Sequence, residues 1–165
     1  SRDARSRVFM HPWRAHWTTI AEHAWLLSQI HETPLAVGIY AYSWGAGHGA
    51  IRLANELGER GIDVQQMVLC DPVPRPCLPL RWTAMLPAWL CPPILIPSNV
   101  RNASSFIQRK NLPQGRKIEA AFPRLTTVNK PTELGVTHQY ADDASAFHES
   151  AMAAAERVRE KAEGR

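Results

Sequence analysis

Residues 35–70 read LAVGIYAYSWGAGHGAIRLANELGERGIDVQQMVLC, and no other stretch limits the fold as much. It opens with an almost wholly apolar run, LAVGIYAY, the pattern of a strand covered on both faces. GAGHGAIRLANELGERG follows as a helix: Ala50, Leu53, Ala54 and Leu57 recur on one side, and Gly58 and Gly61 supply the stop signal. VQQMVLC is the next strand. Two strands joined through one helix at this spacing require a parallel pairing. The predicted class is therefore α/β, a three-layer sandwich around a mostly parallel central sheet.

The flanking segments are consistent with one domain over residues 1–165, a length that suits a full hydrophobic core. Residues 5–10, RSRVFM, read as a short strand. Trp17, Ile20, Ala24, Leu27 and Ile30 recur at helical spacing over 17–31, and the Thr-Pro step at 33–34 ends that helix. NVRNASSFIQ and RLTTV read as further strands. Residues 141–162 form a helix with Phe147, Ala151, Ala154 and Val158 on one face. Between the second strand and NVRNASSFIQ lies a segment with eight prolines and two tryptophans, which argues against long regular structure. Residues 76–97 of it are expected as a lid or an edge insertion.

Composition excludes several classes. The chain is 45% hydrophobic and 21% charged, as in ordinary globular proteins. No apolar run approaches the roughly 20 residues of a membrane span, and no signal peptide is recognisable in this chain. The three cysteines, Cys70, Cys77 and Cys91, lack metal-type pairing and read as reduced thiols of a cytosol-like compartment. The seven histidines include no HExxH or paired ligand spacing, so no metal is expected. From Arg101 to Lys130 there are seven basic residues and one acid, Glu119, but the charges are scattered. A solvated basic face explains them better than a nucleic-acid site.

One hydroxyl stands out. Ser43 lies where the first apolar strand meets the small-residue helix, with Gly45, Gly47 and Gly49 just after it. A serine on a tight strand-to-helix turn projects from the sheet edge. The helix start beside it offers free backbone N–H groups and the positive dipole end, which suit an oxyanion formed by attack on a carbonyl. Two plainer roles stay open, a buried serine at a strand–helix turn and a phosphate-binding turn, though no GxxxxGK[ST] pattern supports the second.

The stretch Ala41-Tyr42-Ser43-Trp44-Gly45 resembles the nucleophile elbow of the α/β-hydrolase superfamily, G-x-S-x-G, with alanine in the first small position. YSWGAGHGA looks most like the small cutinase, lipase and thioesterase branches. The resemblance covers the order of elements from about residue 35 onward and implies an α/β-hydrolase-like fold of reduced size. It implies a chain order of serine, acid, histidine. Of the histidines after Ser43, His48 lies inside the elbow helix and His148 within the last helix. His138, in the loop before that helix, occupies the place of the superfamily's base. Asp71, closing VQQMVLC, is the expected acid, with an Asp-Pro turn cap as its other explanation and Glu133 as the reserve. The oxyanion hole would use the N–H of Trp44 and a second donor from FMHPW, His11 or Trp13.

The resemblance implies a serine hydrolase acting on a small-molecule carboxylic ester or thioester, with no cofactor. Trp82, Leu86 and Trp89 would give it an apolar acyl wall. The rival expectation is a non-catalytic binding or structural module that retains the hydrolase fold.

Overall fold

The computed structural model describes residues 7–31, 35–74 and 92–164. In chain order these form α1 (Trp17–His31), β1 (Val37–Tyr42), a wide π-type turn (Gly45–Gly49), α2 (Ala50–Glu59) and β2 (Val64–Cys70). Then come β3 (Ile94–Ile96), β4 (Val100–Gln108), β5 (Ile118–Ala120), β6 (Thr127–Val128), β7 (Thr132–Leu134), a 3₁₀ turn (His138–Tyr140) and α3 (Ser145–Ala162). The protein is α/β with a parallel sheet in the order β1-β2-β4-β6, and β7 pairs with β4 further along the same strand. β3 and β5 form a separate parallel pair.

The central strand explains the architecture. Side chains alternate across a strand, and both faces of β2 are apolar. Met67 and Leu69 join a core with Ala50, Ala54 and Leu57 of α2 and Ala21 of α1. Val68 and Cys70 join Phe106, Phe147 and Ala154, the last two from α3. Helices thus cover both faces of the sheet. Fully burying each large apolar side chain of this set stabilises by roughly 1.5–3 kcal/mol. Asn99 adds a polar tie, its Nδ2 donating to the carbonyls of Ala54 at 2.9 Å and Ile62 at 3.0 Å.

The turn after β1 is packed tightly. A Cβ at Gly47 would lie 2.2 Å from the carbonyl carbon and oxygen of Val73, so a side chain there would drive the turn off the segment that follows β2. The two are also hydrogen-bonded, Val73 N–H donating to the carbonyl of Ser43 at 3.0 Å.

Several expectations change. Residues 7–10 are irregular, and Val8 and Met10 are exposed. No strand pairs with them among the described residues, and β propensity without a partner does not hold a strand. The regular α-helix after Ser43 starts at Ala50, because three glycines within Gly45–Gly49 disfavour the tighter α-turn. Only Thr127–Val128 of RLTTV is strand, since Leu125 N–H turns back to the Phe122 carbonyl at 2.9 Å. Near the end of the segment expected as a lid or an edge insertion, 76–97, Ile94–Ile96 form β3, with Ile96 fully buried against the sheet core. The first sixteen residues of that segment, 76–91, lie outside the described residues. Among the described residues no helix is long and apolar enough to cross a membrane.

Candidate active site

Parallel register brings two polar residues to one edge. Tyr42 pairs with Cys70, so the next residue on each strand, Ser43 on one and Asp71 on the other, leaves the sheet at the same level. Both adopt left-handed backbone angles, with φ 55° at Ser43 and 44° at Asp71. Such angles cost on the order of 1–3 kcal/mol each in a non-glycine residue and persist only where surrounding contacts enforce them. Val73 holds the Ser43 carbonyl, and Asp71 N–H donates to the Phe106 carbonyl at 2.6 Å.

His138 spans the gap. Its Nε2 lies 2.9 Å from Ser43 Oγ. Its Nδ1 lies 2.5 Å from Asp71 Oδ2. A carboxylate only accepts, so in the neutral imidazole Nδ1 carries the proton and Nε2 is left to accept from the serine hydroxyl.

Asp71 is fully buried, and its carboxylate is satisfied on every side. Oδ1 accepts the backbone N–H of Gln108 at 3.1 Å and of Gly115 at 2.7 Å. Oδ2 accepts Gln108 Nε2–H at 3.1 Å in addition to the imidazole. Hydrogen bonds to a charged group contribute about 1.5–3 kcal/mol each, which lets an ionised acid stay buried. Gly115 is required by this closeness: a Cβ there would sit 2.3 Å from Asp71 Oδ1 and 2.8 Å from its Cα. Gly115→Ala is expected to destabilise the fold by about 1–3 kcal/mol and to pull Asp71 off His138. Urea denaturation and the reactivity of Ser43 check it; a variant unchanged in both would contradict the packing argument.

Tyr42 supports the imidazole from below. Its ring stacks on that of His138 with centroids 5.2 Å apart, and its hydroxyl donates to the His138 carbonyl at 2.5 Å. Burial, with Asp142 and Asp71 adding, pushes this hydroxyl up to about 12. Burial likewise pushes the Cys70 thiol, which donates to the Ala141 carbonyl at 3.1 Å, up to about 12. Both groups bind their protons more tightly folded than unfolded, so stability is full below the ordinary thiol value of 9.0 and falls as pH rises toward 12. Urea midpoints from about pH 8 to about pH 11 should decline. The double variant Cys70→Ala, Tyr42→Phe should flatten the decline; an unchanged slope would contradict this assignment.

The other expected residues scatter. Glu133, the reserve acid, is exposed on β7 opposite Ile107, and Asp71 takes the place beside His138. Trp44 opens the turn after Ser43, 39% exposed, and its ring meets Trp13 edge-on at 5.2 Å. The Arg14 guanidinium lies over the Trp13 ring at 4.5 Å. The His11 ring instead packs with Phe9 at 6.4 Å and Trp17 at 6.5 Å. Trp82, Leu86 and Trp89 lie outside the described residues. A cavity of about 250 Å³ lined by Trp25, Leu35, Arg60 and Asp63 opens at the opposite, N-terminal edge of the sheet, away from Ser43. Sequence reading missed Gln108, Asn111, Gly115 and Tyr42 as partners of the site. The one available signal was a glutamine closing an otherwise apolar strand end, FIQ.

Among the described residues no group of three His, Cys, Asp or Glu side chains could hold a metal ion. Compared with protein-family models, curated proteins and solved structures, the chain gives no significant match.

Proposed function

We propose that this chain is a serine hydrolase with an α/β-hydrolase-like fold of reduced size, which cleaves a carboxylic ester or thioester through an acyl-enzyme on Ser43. The observation that carries the reading is the continuous path from Ser43 Oγ through His138 to a buried Asp71, at 2.9 Å and 2.5 Å. A serine hydroxyl needs a base to attack a carbonyl, and an imidazole needs an acceptor behind it to hold the useful tautomer. The left-handed angle at Ser43, at the mouth of a helix, is the second support.

The steps follow from the contacts. His138 Nε2 takes the Oγ proton as Ser43 attacks the carbonyl carbon. The positive imidazolium is stabilised by Asp71. The amide of Trp44, in the first turn where no intrahelical acceptor exists, donates to the tetrahedral oxyanion. A backbone N–H from His11 or Trp13 is the candidate second donor. Collapse breaks the bond to the leaving alcohol or thiol, which takes its proton from His138. Water then attacks the acyl-enzyme by the same route and frees the acid and Ser43.

The exposed Trp44 ring and its neighbour Trp13 offer an apolar surface beside the nucleophile, which favours an apolar acyl group; Trp82, Leu86 and Trp89 are the proposed remainder of that wall. The test is a fluorophosphonate probe with peptide mapping, together with a p-nitrophenyl ester series of rising acyl length. Modification at Ser43, and kcat/KM that rises with chain length at first, are expected. Absence of both would leave the non-catalytic module as the better reading.

A further inference from the structure

Gln108 ends β4 and is completely buried, yet every polar atom of its side chain is used. Oε1 accepts the backbone N–H of Lys110 at 2.8 Å and of Asn111 at 3.1 Å. That fixes the orientation of the amide, because the flipped form would set NH₂ against two N–H donors. The two Nε2 hydrogens are therefore shared among three acceptors, Asp71 Oδ2 at 3.1 Å and the carbonyls of Asn111 at 2.9 Å and Pro113 at 2.8 Å. The loop so gathered reaches the base as well. Asn111 Oδ1 accepts the backbone N–H of His138 at 2.7 Å, and Asn111 Nδ2 donates to Gln139 Oε1 at 3.0 Å. One side chain thus touches the acid directly and holds the loop that holds the base.

We infer that Gln108 is the positioning residue of the site: its Nε2–H sets Asp71 Oδ2 against His138 Nδ1, and its Oε1 shapes the 108–113 loop so that Asn111 fixes the backbone of His138. The inference rests on the hydrolase reading for its kinetic consequences, but the geometry it invokes is independent of turnover. Gln108 neither contacts Ser43 nor takes part in proton transfer, so its loss lowers kcat and leaves KM unchanged.

Two variants test it. Gln108→Met removes the donor and the acceptor at similar volume; removing hydrogen bonds to a buried charge is expected to lower kcat on the order of tenfold to a hundredfold. Gln108→Glu keeps the shape. While protonated, its O–H replaces Nε2–H toward Asp71 and its carbonyl oxygen still accepts from Lys110 and Asn111. Once ionised, it sets a second carboxylate against Asp71. Its activity relative to wild type is therefore highest at low pH and falls along a new descending limb, a response a general loss of structure would not give. The titratable groups at this point are Asp71 with the Cys70 thiol before it on β2, and His138 reached through Asp71. Arg109 turns its Nη1 to the Gly115 carbonyl at 3.1 Å, and Lys110 meets Gln108 through its backbone.

The second readout is the downfield proton resonance of His138 Nδ1–H in the purified protein, assigned by its absence in His138→Gln. Weakening of that signal in Gln108→Met and its pH-dependent shift in Gln108→Glu are expected. Folded variants with wild-type kcat, pH profile and His138 signal would overturn the inference. If wild type neither labels nor turns over ester, the hydrolase reading fails while the His138 signal still decides the role of Gln108. Should Gln108→Met not fold, Gln108→Glu decides alone.

Discussion

Ser43→Ala is expected to lose fluorophosphonate labelling entirely and to lower ester turnover by on the order of 10⁶, the scale seen when the nucleophile of such a unit is removed. A residual rate above that of water should survive, because the Trp44 amide and substrate contacts are untouched. Stability gives a second reading of the same residue. The backbone at Ser43 sits at φ 55°, a region glycine enters without steric cost. Ser43→Gly should therefore be more stable than wild type by about 1 kcal/mol, less than the strain itself because glycine gains entropy when unfolded. Ser43→Ala keeps a Cβ and should show no such gain. A residue that lowers stability where it stands, and raises it when replaced, is the signature of a backbone held for function. Probe labelling of Ser43→Ala at the wild-type rate, or undiminished ester cleavage, would remove Ser43 as nucleophile. Ser43→Gly less stable than wild type would remove the strain argument.

The legible part of this molecule is local. VQQMVLC has the bounds of β2 because an apolar run between turn signals can be read without knowing its neighbours. α1 matches Trp17–His31 for the same reason, although Ile30, placed on its buried face by periodicity, is 71% exposed. The helical spacing holds, but Ile30 does not lie on the covered side. Ser43 could be singled out because its meaning lies in the junction of a strand with a run of small residues, both adjacent in sequence. His138 and Asp71 could be named only through a resemblance that supplies an order of residues. Nothing in the sequence near Asp71 says that Gly115, forty-four positions on, must lack a side chain to let the carboxylate in. Gln108 and Asn111 are equally opaque: a polar residue at a strand end looks like the start of a loop until the partner of its amide is known. The three-residue strands β3, β5 and β7 are too short for a period of two to register. They exist because pairing with a neighbour distant in sequence completes them.

Asp71→Asn is the second large effect expected, a fall in turnover on the order of 10⁴ with the fold retained. The reason lies in how the carboxylate is surrounded. Oδ1 faces two backbone donors, Gln108 N–H at 3.1 Å and Gly115 N–H at 2.7 Å, so this position must stay an oxygen in the variant. The introduced amide nitrogen is then forced to the Oδ2 side, where it points its hydrogens at His138 Nδ1 and meets Gln108 Nε2–H head on. His138 responds by carrying its proton on Nε2, since Nδ1 now has a donor to accept. Nε2–H faces Ser43 Oγ and can no longer take its proton. The site keeps its shape and loses its base. Two further consequences separate this from mere unfolding. The fold should lose stability only modestly, by about 1–3 kcal/mol for the clash with Gln108, and Asp71→Asn, Gln108→Glu, which offers an acceptor to the new amide nitrogen but turns a carboxylate oxygen toward the Asn111 and Pro113 carbonyls, should not recover turnover. The checks are urea denaturation of both variants and single-turnover acylation of Ser43 in each. Acylation of Asp71→Asn within about tenfold of wild type would show that Asp71 only caps its own turn and that His138 draws its orientation from elsewhere.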